Sequence, residues 1–265
     1  MNSAIAPGGS SASGYSGLAR LIADSASVRR RFDGLTAQIS SGLIANTYAG
    51  LGGTPAAVSL SLSPRIASLQ TWQKNIDAAG GRAQVTQTAL GQIQSIAAKL
   101  SSQLTSLNGL SPANIDAVAA NARGSLAEVG NLLNSQFGDA YVFAGEDTAN
   151  PPVPNADQIT TSGFYTQINA AVGALAANGG AATAAATLTA GGSNVPGTSP
   201  FSAFLSQPAA ALSPPAVSTG PGQASPLGLV ASANTNVPSS GPSTTGSYMR
   251  DLMRALATIG SLSSS

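Results

Sequence analysis

From Pro64 to about Asn108 the chain repeats one pattern. Ile66, Leu69, Gln73, Ile76, Gly80, Ala83, Gln87, Leu90, Ile93 (or Gln94), Ala97, Leu100, Leu104 and Leu107 step by three and four. Such steps line up side chains along one stripe of a helix. At 1.5 Å per residue the helix is about 65 Å long, and a compact globule of this size rarely holds one so long. The stretch therefore predicts a mainly α protein, an elongated antiparallel helical bundle. Part of the stripe is Ala, Gly and Gln, so the packing it predicts is close but not strongly hydrophobic.

The same stepping occurs earlier. Leu18, Leu21, Ser25, Val28, Phe32, Leu35 and Ile39 form a heptad seam on a helix predicted over 17–42. Ser40 and Ser41 then precede Gly42 at the expected C-cap. Residues 43–63 read as an irregular connection, because Gly50, Gly52, Gly53 and Pro55 disfavour helix. Pro64 suits the first turn of the second helix, 64–108. Ser111 and Pro112 open a third, 112–137, with the stripe Ile115, Val118, Ala122, Leu126, Val129 and Leu133; Gly138 closes it.

Beyond it, Tyr141-Val142-Phe143 has strand character. Pro151 and Pro152 mark a boundary, and 155–225 is Ala-, Gly-, Ser-, Thr- and Pro-rich with poor periodicity. This segment reads as a small, poorly specified β or irregular insert. Residues 226–237 form a candidate strand, and 244–262 a helix with the stripe Tyr248, Leu252, Leu256 and Ile259. The expected organisation is a flexible tail over 1–14, a helical core over 15–150, an outer insert over 151–225 and a returning core segment over 226–265. The candidate bundle and assembly interface is Leu18, Leu21, Val28, Phe32, Leu35, Ile39, Ile76, Leu90, Ile93, Leu100, Leu104, Leu252 and Leu256.

Composition narrows the chemistry. The chain has no Cys and no His, which excludes disulfides, thiol chemistry and histidine acid–base catalysis. Charged residues are 8% of its 265, against about 25% in soluble domains. A surface so short of charge is poorly protected against self-association. The net charge of +1 makes no electrostatic case for nucleic acid or an anionic membrane. Arg29-Arg30-Arg31 is a short run whose members point in different directions on a helix, a solvated face.

No segment has the roughly 20 apolar residues of a membrane span. The first residues lack the basic and apolar regions of a cleaved signal peptide. Glu146-Asp147, the adjacent acidic pair, falls short of the six or more oxygens of a Ca²⁺ site and reads as turn polarity. Gly50-Leu51-Gly52-Gly53 has no Lys-Ser/Thr after it, so it is no phosphate loop. Lys74 and Lys99 sit at solvent-type helix positions, and Trp72 and Tyr48 read as packing residues. No catalytic, cofactor or metal site is expected, and the chain does not read as an enzyme.

Five stretches carry a likeness: Leu35–Gly42 (LTAQISSG), Gln73–Ala78 (QKNIDA), Val85–Leu90 (VTQTAL), Asp139–Pro152 (DAYVFAGEDTANPP) and Arg250–Leu262 (RDLMRALATIGSL). In this order they resemble the bacterial flagellin superfamily, most nearly its hook–filament junction subunits, the third hook-associated proteins. The Phe143-Ala144-Gly145 segment favours the junction subunits over filament flagellins. The resemblance covers roughly 15–150 and 226–262. It marks Ser40, Ser41, Gly42, Asn46, Asn75, Ile76, Asp77, Phe143, Ala144 and Gly145 as family-motif positions.

The resemblance implies an extracellular subunit of the flagellum, exported through the type III channel without a cleaved signal. Its partners would be further copies, hook-associated proteins, flagellin and an export chaperone, with no nucleic acid and no membrane insertion. Two departures stand out. Asn46 is kept after Ser-Ser-Gly but the family's Asp pair is not. The family's last C-terminal helix, which pairs with its first, has no counterpart before Ser265, so an apparently shortened C-terminus is expected. The sequence is then either a fragment or a shortened variant, and only in the second case would inner-core pairing and C-terminal chaperone binding be lost. A secreted helical-bundle adhesin or effector is the reading from another class; nothing in 155–225 repeats as adhesin modules do.

Overall fold

The structure, a computed structural model, describes residues 12–41, 53–106, 112–233 and 243–263. The side chains of 12–22, 38, 106, 112 and 113 lie outside that description. The protein is mainly helical. It divides into two compact units, Met1–Gln70 and Thr71–Ser265.

The first unit holds α1 (Ala12–Ser41) and the opening of α2 (Gly53–Ser106). Both are rich in Ser and Thr, and their hydroxyls bond back along the helix. Thr36 Oγ1 donates to the Phe32 carbonyl at 2.9 Å, and Ser41 Oγ to that of Ala37 at 2.6 Å. Of the irregular connection expected over 43–63, residues 43–52 lie outside the described residues; over 53–63, and for the helix start at Pro64, the expectation needs correction. The helix begins at Gly53 and Pro64 lies inside it. Pro55 takes the first-turn place, where its missing N–H would have no helical partner anyway. Pro64 removes the bond that would have gone to the Leu60 carbonyl, a cost the helix carries in its interior.

In the second unit α2 continues and buries Thr86, Ala89, Ile93, Ile96 and Leu100. This stripe keeps the three-four step but is rotated from the expected one: Gln87 is exposed and Leu90 and Ala97 are half-buried. Thr86 can face the core because its hydroxyl donates to the Arg82 carbonyl at 2.9 Å. Helix α3 (Pro112–Leu133) buries Ala119, Ala122, Leu126, Val129 and Leu133, close to expectation. It stops at Leu133, short of Phe137. There the chain turns into a hairpin of β1 (Gln136–Phe137) and β2 (Ala140–Tyr141), which pair antiparallel. Gly138 in the turn has φ +59°, a conformation that glycine adopts without a Cβ penalty.

Residues 151–225 differ most from the β or irregular insert expected of them. After a 3₁₀ segment at Ala156–Thr161 come α4 (Gly163–Gly173) and α5 (Leu175–Gly191). Ser162 caps α4, accepting from the Tyr165 N–H at 3.3 Å. Phe164, Ile168 and Val172 join one hydrophobic cluster with Leu126, Met253 and Ile96. The insert is thus part of the core of the second unit and no separate domain there. Its one sheet is the hairpin of β3 (Ala216–Gly220) and β4 (Gln223–Pro226).

The candidate strand over 226–237 amounts to bridges from Val230 to Ala144 and Ala233; residues 234–237 lie outside the described set. Helix α6 (Tyr248–Gly260) packs on α3, α4 and α5. It buries Met249, Met253, Leu256 and Ala257, so its inner face is rotated from the Tyr248–Leu252 line, both of which are half-buried.

Candidate assembly surface

The thirteen side chains expected at a bundle interface separate into groups. Ile93, Leu100 and Leu256 are core residues of the second unit, and Leu90 and Leu252 pack at its margin. Ile76 and Leu104 lie on α2 but are exposed. On α1, Val28, Phe32, Leu35 and Ile39 are exposed, Phe32 at 70% and Ile39 at 84%. Leu18 and Leu21 are within α1, but their side chains lie outside the described set. The opening of α2 adds Val58, Leu60, Leu62, Ile66 and Leu69, all exposed. Val58, Leu60 and Leu62 are hidden in the sequence because Gly50, Gly52, Gly53 and Pro55 make 43–63 read as a connection. A row of large apolar side chains at helical spacing, in water, is the mark of a surface meant to be covered.

The family-motif positions fall in different settings. Ser40 and Ser41 are exposed at the end of α1; Gly42 and Asn46 lie outside the described residues. Asn75 Nδ2 donates to the Ser218 carbonyl at 3.0 Å and so ties α2 to β3. Ile76 and Asp77 face solvent. Phe143 and Ala144 are buried where the chain leaves the β1–β2 hairpin. The Ala231 N–H donates to the Phe143 carbonyl at 2.9 Å. Gly145 has φ +64°, and a Cβ there would stand 3.1 Å from the Ser213 carbonyl oxygen, so both backbone and space call for glycine. Phe143-Ala144-Gly145 thus sits where incoming and returning strands of chain meet.

Arginines hold this second unit together from inside. Arg250 is buried on α6. Its Nε donates to Ser232 O at 2.9 Å, and Nη1 to Ser193 O at 2.9 Å and Gly191 O at 3.3 Å. Its Nη2 donates to Asn194 Oδ1 at 2.9 Å. Burial pushes the Arg250 guanidinium below its ordinary pKa, and that of Arg82 likewise. Arg82 Nη2 donates to Tyr141 O at 2.9 Å, fixing α2 to β2. Arg123 Nη1 and Tyr165 Oη both donate to Gly260 O, at 2.6 and 2.7 Å. These contacts were illegible in the sequence, since each acceptor is a backbone carbonyl or amide distant along the chain.

Among the described residues no three His, Cys, Asp or Glu side chains cluster as a metal site would require. No described helix is long and apolar enough to cross a membrane. A groove of about 360 Å³ on the second unit is lined by Lys99, Gln103, Asn121, Ser125 and Glu128. Lys99 is exposed there. No family model matches the chain, and no curated protein or solved structure matches it. The described residues define a mainly helical protein that carries an apolar row on the surface of its first unit.

Proposed function

We propose that this chain is a structural subunit of the bacterial flagellum, joining hook to filament by helical self-assembly. The observation that carries the reading is the apolar row Val28, Phe32, Leu35 and Ile39, exposed on a helix whose sequence resembles the first helix of the flagellin superfamily. Contacts that repeat between neighbours around an axis cover such rows and build tubes in place of closed rings. The helices then belong to an elongated antiparallel bundle that reaches from one neighbour to the next. The sequence of Phe143-Ala144-Gly145, at the entry to 151–225, carries the finer resemblance and favours the junction subunit over the filament flagellin. The chain works by packing and not by catalysis, is exported unfolded with a chaperone, and acts outside the cell.

Immunogold labelling of intact flagella with an antibody to 151–225 tests this. Label confined to a short zone beyond the hook supports the junction role. Label along the whole filament replaces it with the flagellin role. Flagella without label remove both readings, and binding of the chain to host cells or glycans would then favour the adhesin class.

A further inference from the structure

We infer that α1 is a dimerisation helix, pairing parallel and in register with α1 of a second copy of this chain. On the seam Ser25, Phe32 and Ile39 occupy a positions and Val28 and Leu35 occupy d positions, and all five are exposed. The flanking positions carry charge of matched sign. Asp24 is at g and Arg29 at e, and in a parallel pair each g residue meets the e residue five places on in its partner. Asp24 of one copy therefore meets Arg29 of the other, twice by symmetry, on both sides of the Val28 layer. Within a single helix, residues five apart do not share a face, so Asp24 and Arg29 of one copy do not pair with each other.

Asp33, at b, lies four places from Arg29 on the same helix and competes for it, so the Asp24–Arg29 contact has to outweigh that pair. Arg30 is at f, facing water, and Arg31 at g meets Thr36 at e. An antiparallel pair centred on the same layers sets Arg29 against Arg29 and Arg31 against Arg31, two repulsive contacts in place of two attractive ones. The charges thus choose the parallel orientation, and the apolar layers supply the contact. This inference rests on α1 alone and not on the flagellar reading; the pair is isologous, so it takes up the row that the flagellar reading gives to heterologous contacts.

The experiment uses the full chain, which has no native Cys, so one introduced thiol reports one contact. Under mild oxidation at micromolar concentration, Leu35→Cys gives a reducible dimer, whereas Ala37→Cys at the outward f position gives about tenfold less. Asp24→Arg in the Leu35→Cys background lowers the dimer yield about tenfold, and adding Arg29→Asp restores it. Equal cross-linking at 35 and 37, or none at 35, overturns the inference. So does dimer from an equimolar mixture of Ser25→Cys and Leu35→Cys chains in excess of the Leu35→Cys homodimer, which is the antiparallel register. An intramolecular disulfide in Phe32→Cys/Leu62→Cys overturns it too, by assigning the seam to the exposed row on α2. A Leu35→Cys dimer from a chain that labels no flagellum leaves this inference standing and removes the proposed function; flagellar label without the dimer does the reverse.

Discussion

The guanidinium of Arg250 lies 5.2 Å from the centre of the Phe201 ring. A buried cation is expensive, and here a ring face and a ring of carbonyls take the place of water. Lysine keeps the charge but lacks the planar fork that reaches Ser232, Ser193 and Asn194 together. Arg250→Lys should lower the unfolding free energy by about 2–3 kcal/mol. Phe201→Leu should cost about 1 kcal/mol through the lost cation–π contact and poorer packing. Urea unfolding at neutral pH measures both, and a lysine variant with an unchanged midpoint would sink the clamp.

Glycines of two kinds separate cleanly. A Cβ on Gly163 would run into the carbonyl oxygen of Gly197, at the start of α4. Gly163→Ala is expected to cost about 1–3 kcal/mol, because backbone must move to admit one methyl group. Gly91 sits inside α2 with nothing within 4 Å of a built Cβ. Gly91→Ala should instead stabilise by about 0.5–1 kcal/mol through helix propensity. Thermal melts of the two variants should therefore move in opposite directions.

Where large side chains mark the periodicity, the fold was legible. Leu126, Val129 and Leu133 are buried as their spacing demands. The α2 stripe was displaced because Ala, Gln and Thr give no firm phase, and a back-bonded Thr86 behaves as an apolar residue. Helix α5 was invisible for the same reason: it buries Thr183, Thr187 and Ala190 among alanines that look alike on every face. Arg250 reads as a surface residue on any helical wheel, and only its distant carbonyl partners turn it inward. The candidate surface was half legible. Phe32 and Leu100 share one stepping, yet Phe32 is exposed and Leu100 buried, so period alone finds the seam without saying what covers it.

Tyr248 gives a pH dependence with a defined sign. Burial raises its phenol above the ordinary value, so the folded state favours the neutral ring. The stabilisation is complete below the unfolded value of about 10 and is lost as pH rises through the higher folded value. The melting temperature should fall more steeply above about pH 10 in the native chain than in Tyr248→Phe. The ring is half-buried, so the effect is a change of slope and not a collapse. Parallel slopes for the two chains would assign the alkaline loss to other groups.

The sharpest contrast lies between two methionine- and phenylalanine-sized residues on different helices. Met253 is fully buried in the cluster that α3, α4 and α6 share, whereas Phe32 is 70% exposed on α1. Removing side-chain volume from a packed core leaves a cavity, so Met253→Ala should cost about 2–5 kcal/mol. Phe32→Ser removes a larger side chain, but one that stands mostly in water, and should change monomer unfolding by less than about 0.5 kcal/mol. If α1 is a surface for other subunits, the same Phe32→Ser should lower the sedimentation-derived association constant by at least about tenfold, while Met253→Ala at a temperature where it stays folded leaves association intact. Should Phe32→Ser destabilise the dilute monomer as Met253→Ala does, its ring would belong to the chain's own core, and the apolar row would not be a surface for assembly.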